Sequence, residues 1–348
     1  PGVIMQFTGK DNPFTYTLTG LIFSCVFCLA VFITWYTTWE AKDVHQESNF
    51  KVDNQRKGGL GNHLKYLVLD LFSSFRIRAF RLHILIYIFS FTAMDVFGSV
   101  FTYYVVYCLS QDASAVSGWL SIAAFASVPG TYGFMLLLNR LNMTPSAALR
   151  LSYGCIFLVL AFLFTVYLTK TQVPTLLFSG VFILLGAARS GLYYIPWNTY
   201  SFIPDIDEIV TQQRREGIFA GVMVLTRKST VAIAIMIIGL VLQESGFVKG
   251  SGAQPESALG AIIGLLIFAT AALLAVSFFT TYKFKLTRET HKLLLKEIAR
   301  RKLGGDYRDC DANTRVVIKQ LTGYEYDQVW GGDATRRAAG NASLSAVK

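Results

Sequence analysis

Long apolar segments separated by short polar connections dominate this chain of 348 residues. Each segment reaches about 20 residues, the length of helix that crosses the hydrocarbon core of a bilayer. Because the segments are apolar around the whole helix circumference, a half-buried helix of a soluble protein fits them poorly. The pattern predicts an all-α membrane protein with seven spanning helices: Phe14–Trp39, Leu82–Leu109, Ser117–Leu138, Ala148–Thr169, Pro174–Tyr200, Ile218–Gln243 and Ala258–Tyr282.

Composition supports a protein whose main partner is the lipid bilayer. Hydrophobic residues make up 53% of the chain and charged residues 16%, against about 25% charged in soluble proteins. The net charge of +10 comes from cations in the connections and the C-terminal region, so no nucleic-acid partner is predicted. Of the five cysteines, four lie in apolar segments, and no catalytic or metal-ligand spacing occurs. We therefore predict neither an enzyme nor a metal site.

The distribution of Lys and Arg predicts the orientation. They concentrate after the first, third and fifth apolar segments and after the last one. The positive-inside rule then places the N-terminus outside and the C-terminus in the cytoplasm of a multi-pass membrane protein. The chain begins at Pro1 and has an odd number of spans, whereas transporters are usually built from paired repeats. We expect that N-terminal helices of the same protein are missing.

Polar stretches divide the chain. Residues 41–81 form a long connection, in which Leu64–Phe75 has the apolar spacing of a helix lying on the membrane surface. After the last span, Thr287–Lys302 is predicted to form a basic helix. The aromatic residues from Gly323 to Trp330 suggest a short folded end.

Four ionisable residues, Asp95, Arg189, Arg227 and Lys228, fall within the spans, where a charge costs several kcal/mol and marks a functional site by default. Arg227 and Lys228 are neighbours about 100° apart on a helix, so we expect one of them to face the interior. Misplaced boundaries or side chains reaching the interface are the alternative. One acid against two or three cations implies that other helices supply carboxylates or that the substrate is an anion. Both point to a pathway for a polar solute.

Aromatic side chains with polar atoms accompany these charges. Tyr103, Tyr104, Tyr193 and Trp197 lie at or near membrane depth, where an aromatic face can stack on a sugar ring. The alternative for such residues is the aromatic belt at the membrane interface.

A charged connection precedes the sixth span. The acids Asp205, Asp207 and Glu208 stand before Arg214 and Arg215, and Glu216 follows. Such a cluster can form an ion-pair lock that closes one face of a transporter. As a solvated charge run it would contribute little.

This segment resembles the glycoside–pentoside–hexuronide:cation symporters, the melibiose-carrier-like branch of the major facilitator superfamily. The similarity lies in an acidic D-x-D-E stretch, T-x-Q-R-R-E-G and a mid-span lysine, which here extend from Asp205 to Lys228, and in Pro196-Trp197. It is close over about residues 190–250. The chain departs from the family at Tyr200–Ile203, where many members have L-P-D-V.

The resemblance implies helices six to twelve of a twelve-helix transporter. Residues 1–40 would hold the last helix of the N-terminal bundle, 41–81 the cytoplasmic central loop, 82–283 the C-terminal six-helix bundle and 284–348 a cytoplasmic tail. It also implies that Lys228 lies near the sugar and cation site and that the connection before it takes part in gating.

We therefore expect a symporter of sugars or glycosides, coupled to Na⁺ or H⁺ and requiring no other cofactor. A transporter of lysolipids or other amphiphiles with the same fold, or a non-transporting membrane scaffold, are the alternatives.

Overall fold

The computed structural model describes residues 14–38, 71–170, 174–212 and 214–330, and divides between Tyr66 and Leu67 into two units. In the first unit, helix α1 (Phe14–Thr37) is an apolar helix with nearly all of its side chains exposed. The expected surface helix at Leu64–Phe75 lies largely outside the described residues. Its end is helical at 71–73 and passes into a 3₁₀ turn at Ser74–Arg76.

The second unit is a helical bundle with a folded C-terminal extension. Its helices are α2 (Arg78–Tyr103), α3 (Ala113–Asn139), α4 (Pro145–Thr169), α5 (Thr175–Tyr200), α6 (Ile203–Thr211), α7 (Glu216–Glu244), α8 (Glu256–Ile263), α9 (Thr270–Lys283), α10 (Arg288–Lys302) and α11 (Ala312–Thr322). A π-helical turn, Tyr104–Cys108, extends α2, and another, Gly264–Ala269, joins α8 to α9.

The seven predicted spans are confirmed as helices. Among the described residues, seven helical segments are long and apolar enough to cross a membrane. The second begins at Arg78, four residues before the predicted Leu82. Its first turn contains Arg78 and Arg81, which a prediction from apolar residues leaves out. The fifth extends through α6, which the sequence analysis had treated as a charged connection.

Local signals explain where several helices begin. The Thr144 hydroxyl accepts a hydrogen bond from the backbone N–H of Ala147, and Pro145 occupies the first turn of α4, where its missing N–H costs nothing. Pro204 has the same place in α6. Thr287 and Thr290 cap the start of α10 reciprocally.

Small residues and buried hydroxyl groups hold the bundle together. A Cβ atom at Gly186 of α5 would lie 2.0 Å from the carbonyl oxygen of Ala123, so only glycine allows α3 and α5 to approach this closely. Ser90 of α2 hydrogen-bonds to Tyr153 of α4 at 2.8 Å and to Ser277 of α9 at 3.2 Å. These bonds fix α2 between α4 and α9.

The predicted basic helix after the last span is confirmed as α10. The chain continues through α11 to a 3₁₀ turn at Tyr326–Gln328. We call residues 284–330 the cap. The sequence analysis predicted only a short folded end, whereas the structure adds α11, whose buried side chains include Ile318 and Leu321.

Candidate functional site

An ion pair lies near the middle of two spans of the bundle. Arg227 of α7 contacts Asp95 of α2 through both terminal nitrogens, at 2.5 Å (Nη1 to Oδ2) and 2.9 Å (Nη2 to Oδ1). The side chains are 19% and 23% exposed, so the pair is neither sealed in the bundle nor fully open. Of the two neighbouring cations, Arg227 is therefore the one that turns toward the packed bundle.

A chain of aromatic contacts connects this pair to α5. The Arg227 guanidinium lies 5.2 Å from the centre of the Phe91 ring, at cation–π distance. Phe91 packs edge-on against Tyr193 and tilted against Tyr87, with ring centres 4.6 Å and 4.5 Å apart. Tyr87 in turn contacts Trp197. Charged and aromatic groups from three spans thus form one contiguous set.

The second cation of this set is Arg189 of α5. Its Nη2 donates a hydrogen bond to the Tyr193 hydroxyl at 2.9 Å, and its guanidinium lies 5.1 Å from the same ring. No carboxylate pairs with Arg189 among the residues that the structure describes. We call the whole set the membrane-depth cluster; it comprises Tyr87, Phe91, Asp95, Arg189, Tyr193, Trp197 and Arg227.

The cluster follows a four-residue spacing on two helices. Positions 87, 91 and 95 share one face of α2, and positions 189, 193 and 197 share one face of α5. The sequence analysis selected five of the seven members and missed Tyr87 and Phe91. Their spacing from Asp95 was the signal that could have found them.

Three other predicted pathway residues lie elsewhere. Lys228 is exposed on α7 and has no ion-pair partner in the described part of the chain. Tyr103 packs against Tyr107 and Phe247 toward the other end of the bundle. Tyr104 is fully buried and donates its hydroxyl hydrogen to the Leu163 carbonyl at 2.8 Å, so it belongs to the core. The structure does not bring these three into the cluster.

A second charged group lies where α6 meets the cap. The acids of α6 are buried, with exposed fractions of 5% for Asp205, 0% for Asp207 and 8% for Glu208. A solvated charge run is therefore excluded for this segment. Arg215 holds Asp207 with two bonds of 2.7 Å, and Arg214 reaches Asp205 at 3.5 Å and Glu216 at 2.6 Å.

The cap supplies further partners to the same acids. His291 Nε2 lies 2.7 Å from Asp205 Oδ2, and Lys302 Nζ lies 2.8 Å from Glu208 Oε1. The backbone N–H of Trp330 donates to the carbonyl of Ile209 at 2.8 Å. The sequence analysis missed these cap residues. The helical spacing could have indicated them, because positions 291 and 302 are about three turns apart and therefore share one face of α10.

The segment that departs from the family pattern has a role in this contact. Phe202 stacks on the His291 ring with centres 4.1 Å apart, beside the pair with Asp205. The aromatic residue thus positions the imidazole against the carboxylate.

Inside the cap, Glu297 joins α10 to the 3₁₀ turn at Tyr326–Gln328. Burial alone would raise the pKa of Glu297, but hydrogen bonds from Arg300 and Tyr326 outweigh it and hold the pKa below its usual value. Burial and the neighbouring Glu297 raise the pKa of the Tyr326 hydroxyl. The carboxylate therefore stays ionised and holds the cap together.

Seven membrane-length helices, and no strand among the described residues, make this an all-α membrane protein. The chain belongs to the MFS/sugar transport protein family, whose family model matches residues 1–288. It is similar to an uncharacterized symporter, sll1374, of Synechocystis sp. (strain ATCC 27184 / PCC 6803 / Kazusa), with 30% identity over 222 residues. That match covers 61% of this chain and 39% of the relative, so this chain aligns with less than half of the relative's length.

Proposed function

We propose that this protein is a symporter of sugars or glycosides, of the glycoside–pentoside–hexuronide:cation type, in a bacterial inner membrane. The observation that carries the proposal is the membrane-depth cluster, in which an ion pair that is about one fifth exposed adjoins aromatic rings. Its chemistry suits a hydroxyl-rich solute, because charged groups can bind hydroxyls while rings stack on the C–H face of a sugar. The likeness to a protein described as a symporter supports it.

In this proposal, Asp95 and Arg227 respond to the coupling cation. Na⁺ or H⁺ at the Asp95 carboxylate weakens its hold on Arg227, which then becomes available to the substrate. Cation and sugar thereby favour the same occluded state, which is the thermodynamic requirement for symport. Arg189, Tyr193 and Trp197 line the same pathway.

The acids of α6 form the cytoplasmic gate of this proposal. Asp205, Asp207 and Glu208, with Arg214, Arg215 and Glu216, close the side that bears the cap. In this proposal that side and the C-terminus face the cytoplasm. In alternating access, these pairs hold one state and separate in the other. Lys228, which is exposed on α7, balances a carboxylate of another part of the pathway or an anionic substrate.

Uptake by the whole protein tests the proposal. Proteoliposomes are given a panel of radiolabelled glycosides, including neutral and acidic sugars, under a Na⁺ gradient, a pH gradient or neither. We expect gradient-driven accumulation of at least one glycoside, and loss of cation dependence in Asp95→Asn. Failure of every glycoside to accumulate under either gradient refutes symport of this class.

Lys228 has its own test in the same assay. We expect Lys228→Ala to lower uptake or change its cation dependence. Normal transport with an unchanged cation dependence removes Lys228 from the pathway.

One observation favours an amphiphile as the transported solute instead. An apolar groove of about 600 Å³, open on its outer side, runs along the contact between α3 and α5 and is lined by residues such as Phe125, Pro129 and Ile183. An acyl chain fits such a lining better than a sugar does. Accumulation of a lysolipid, independent of glycosides in the same proteoliposomes, would support this second function.

A further inference from the structure

The first turns of the cap lie at the level where three spans end. The Ser146 hydroxyl at the start of α4 donates to the carbonyl of Phe284 at 2.8 Å. Arg288 of α10 hydrogen-bonds to the Asn139 side chain at the end of α3. Tyr282, at the end of α9, is 53% exposed and lies under the guanidinium of Arg150, 4.7 Å from its ring centre. An exposed tyrosine at the end of a span is typical of the membrane interface.

Helix α10 has two different faces. The buried face carries Leu294, Glu297 and Ile298, which pack within the cap. On the opposite face, positions 288, 292, 295, 296, 299 and 303 fall within about a quarter of the circumference. Leu295 and Leu303 on this face are 41% and 89% exposed.

The cations of α10 are also divided between the two sides. Toward α6 and the cap interior, His291, Lys302 and Arg300 each contact a carboxylate. On the outer face, Lys292 and Lys296 are exposed and have no carboxylate within ion-pair distance in the described part of the chain. The same holds for three exposed cations beside them, Arg140, Lys283 and Lys285.

We propose that this outer face of α10, together with Arg140, Lys283 and Lys285, binds the anionic lipid headgroups of the bilayer that the chain spans. The surface combines unpaired cations with exposed leucines, and it begins at the level of the span ends, where Arg288 contacts Asn139. This is the composition of a helix that lies in the membrane interface. Anionic headgroups attract such cations within a Debye length of the surface. The same helix holds Asp205 and Glu208, so bound lipid also steadies the contact between cap and α6.

Lipid selectivity of the reconstituted whole protein tests this assignment. Nitroxide-labelled phosphatidylglycerol and phosphatidylcholine are compared in vesicles, and the lipid immobilised by the protein is measured from the spin-label spectrum. We expect the wild type to prefer phosphatidylglycerol and the preference to decrease as salt is raised. The double variant Lys292→Gln/Lys296→Gln should reduce the preference about two- to fivefold, since each cation contributes separately.

A matched control changes two exposed lysines at the opposite ends of the spans, Lys170→Gln/Lys249→Gln. We expect the control to keep most of the wild-type preference, because Lys170 and Lys249 stand singly in two connections and are not part of a helix face with several cations. Equal immobilisation of both lipids by the wild type overturns the proposal. So does a double variant on α10 that prefers phosphatidylglycerol as strongly as the wild type, because the outer face then points away from the bilayer.

Discussion

The membrane-depth cluster and the acids of α6 are both built on ion pairs, yet they differ in what surrounds the carboxylate. Asp95 has one cationic partner, Arg227, and is about one quarter exposed. Asp207 is fully buried and receives two bonds from Arg215, whose Nη1 also donates to the Ser73 hydroxyl. Asp205 and Glu208 have partners from a different part of the chain, the cap.

The difference separates a pair that can exchange its partner singly from a set of pairs that forms and separates as a unit. A partly exposed pair with a single cationic partner can accept a cation or a solute without unfolding the helices around it. Carboxylates that are buried and bound from several elements lose all of those contacts together. We therefore expect that removing a charge from the membrane-depth cluster lowers transport more than stability. Removing one from the acids of α6 should lower stability more strongly in proportion.

The largest effect is expected for Arg227→Ala. This change leaves the Asp95 carboxylate without a cation at membrane depth, which costs about 3 kcal/mol in the free energy of unfolding. We also expect uptake to fall at least about 100-fold, as for the loss of an interaction made in transport itself. Thermal unfolding in detergent and uptake in proteoliposomes measure the two effects.

The double variant Asp95→Ala/Arg227→Ala separates stability from transport. It removes both charges, so thermal stability should return most of the way while uptake stays absent. Recovery of uptake in the double variant would show that the pair serves only the fold.

Asp207→Asn is expected to lower the stability of the protein in the state in which the α6 pairs are closed. The substitution weakens two charge-assisted bonds in a buried place, which costs about 2 kcal/mol. Thermal unfolding is the measurement, and Glu216→Gln, in an exposed pair of the same region, is the control. An Asp207→Asn protein that melts like the control would contradict the structural role.

The Glu297 carboxylate predicts a pH dependence of the cap. Because its pKa is lower in the folded protein than the usual 4.5, the stability it contributes is complete above about pH 4.5 and is lost as the pH falls through the lower folded value. At pH 7 we expect Glu297→Gln to lower the free energy of unfolding by about 1 kcal/mol, and therefore to melt at a lower temperature than the wild type. Melting curves between pH 3 and 7 should converge at the acid end; a constant difference would contradict this.

The smallest effect is expected for Arg214→Ala. Its side chain is 56% exposed and its contact with Asp205 is long, at 3.5 Å. Exposed pairs of this kind contribute less than about 0.5 kcal/mol to stability. A larger shift in the melting temperature would place Arg214 with Arg215 among the residues that hold α6.

The seven spans could be predicted because their signal is local. About 20 consecutive apolar residues are enough to define each helix, whatever it packs against. The charges at depth were recognisable for the same reason, since Asp95, Arg189 and Arg227 stand out in apolar surroundings. The sequence also predicted α10 from its position and composition.

Tertiary structure alone decided which charges meet. Arg227 and Lys228 are adjacent and chemically similar, and only the rotation of α7 against α2 selects Arg227 as the partner of Asp95. Likewise, the acids of α6 precede two arginines in sequence. Asp205 and Glu208 nevertheless also contact His291 and Lys302 of the cap. Membrane insertion depends on composition summed along a segment, whereas ion pairing depends on distances of a few ångströms between distant segments, which composition does not encode.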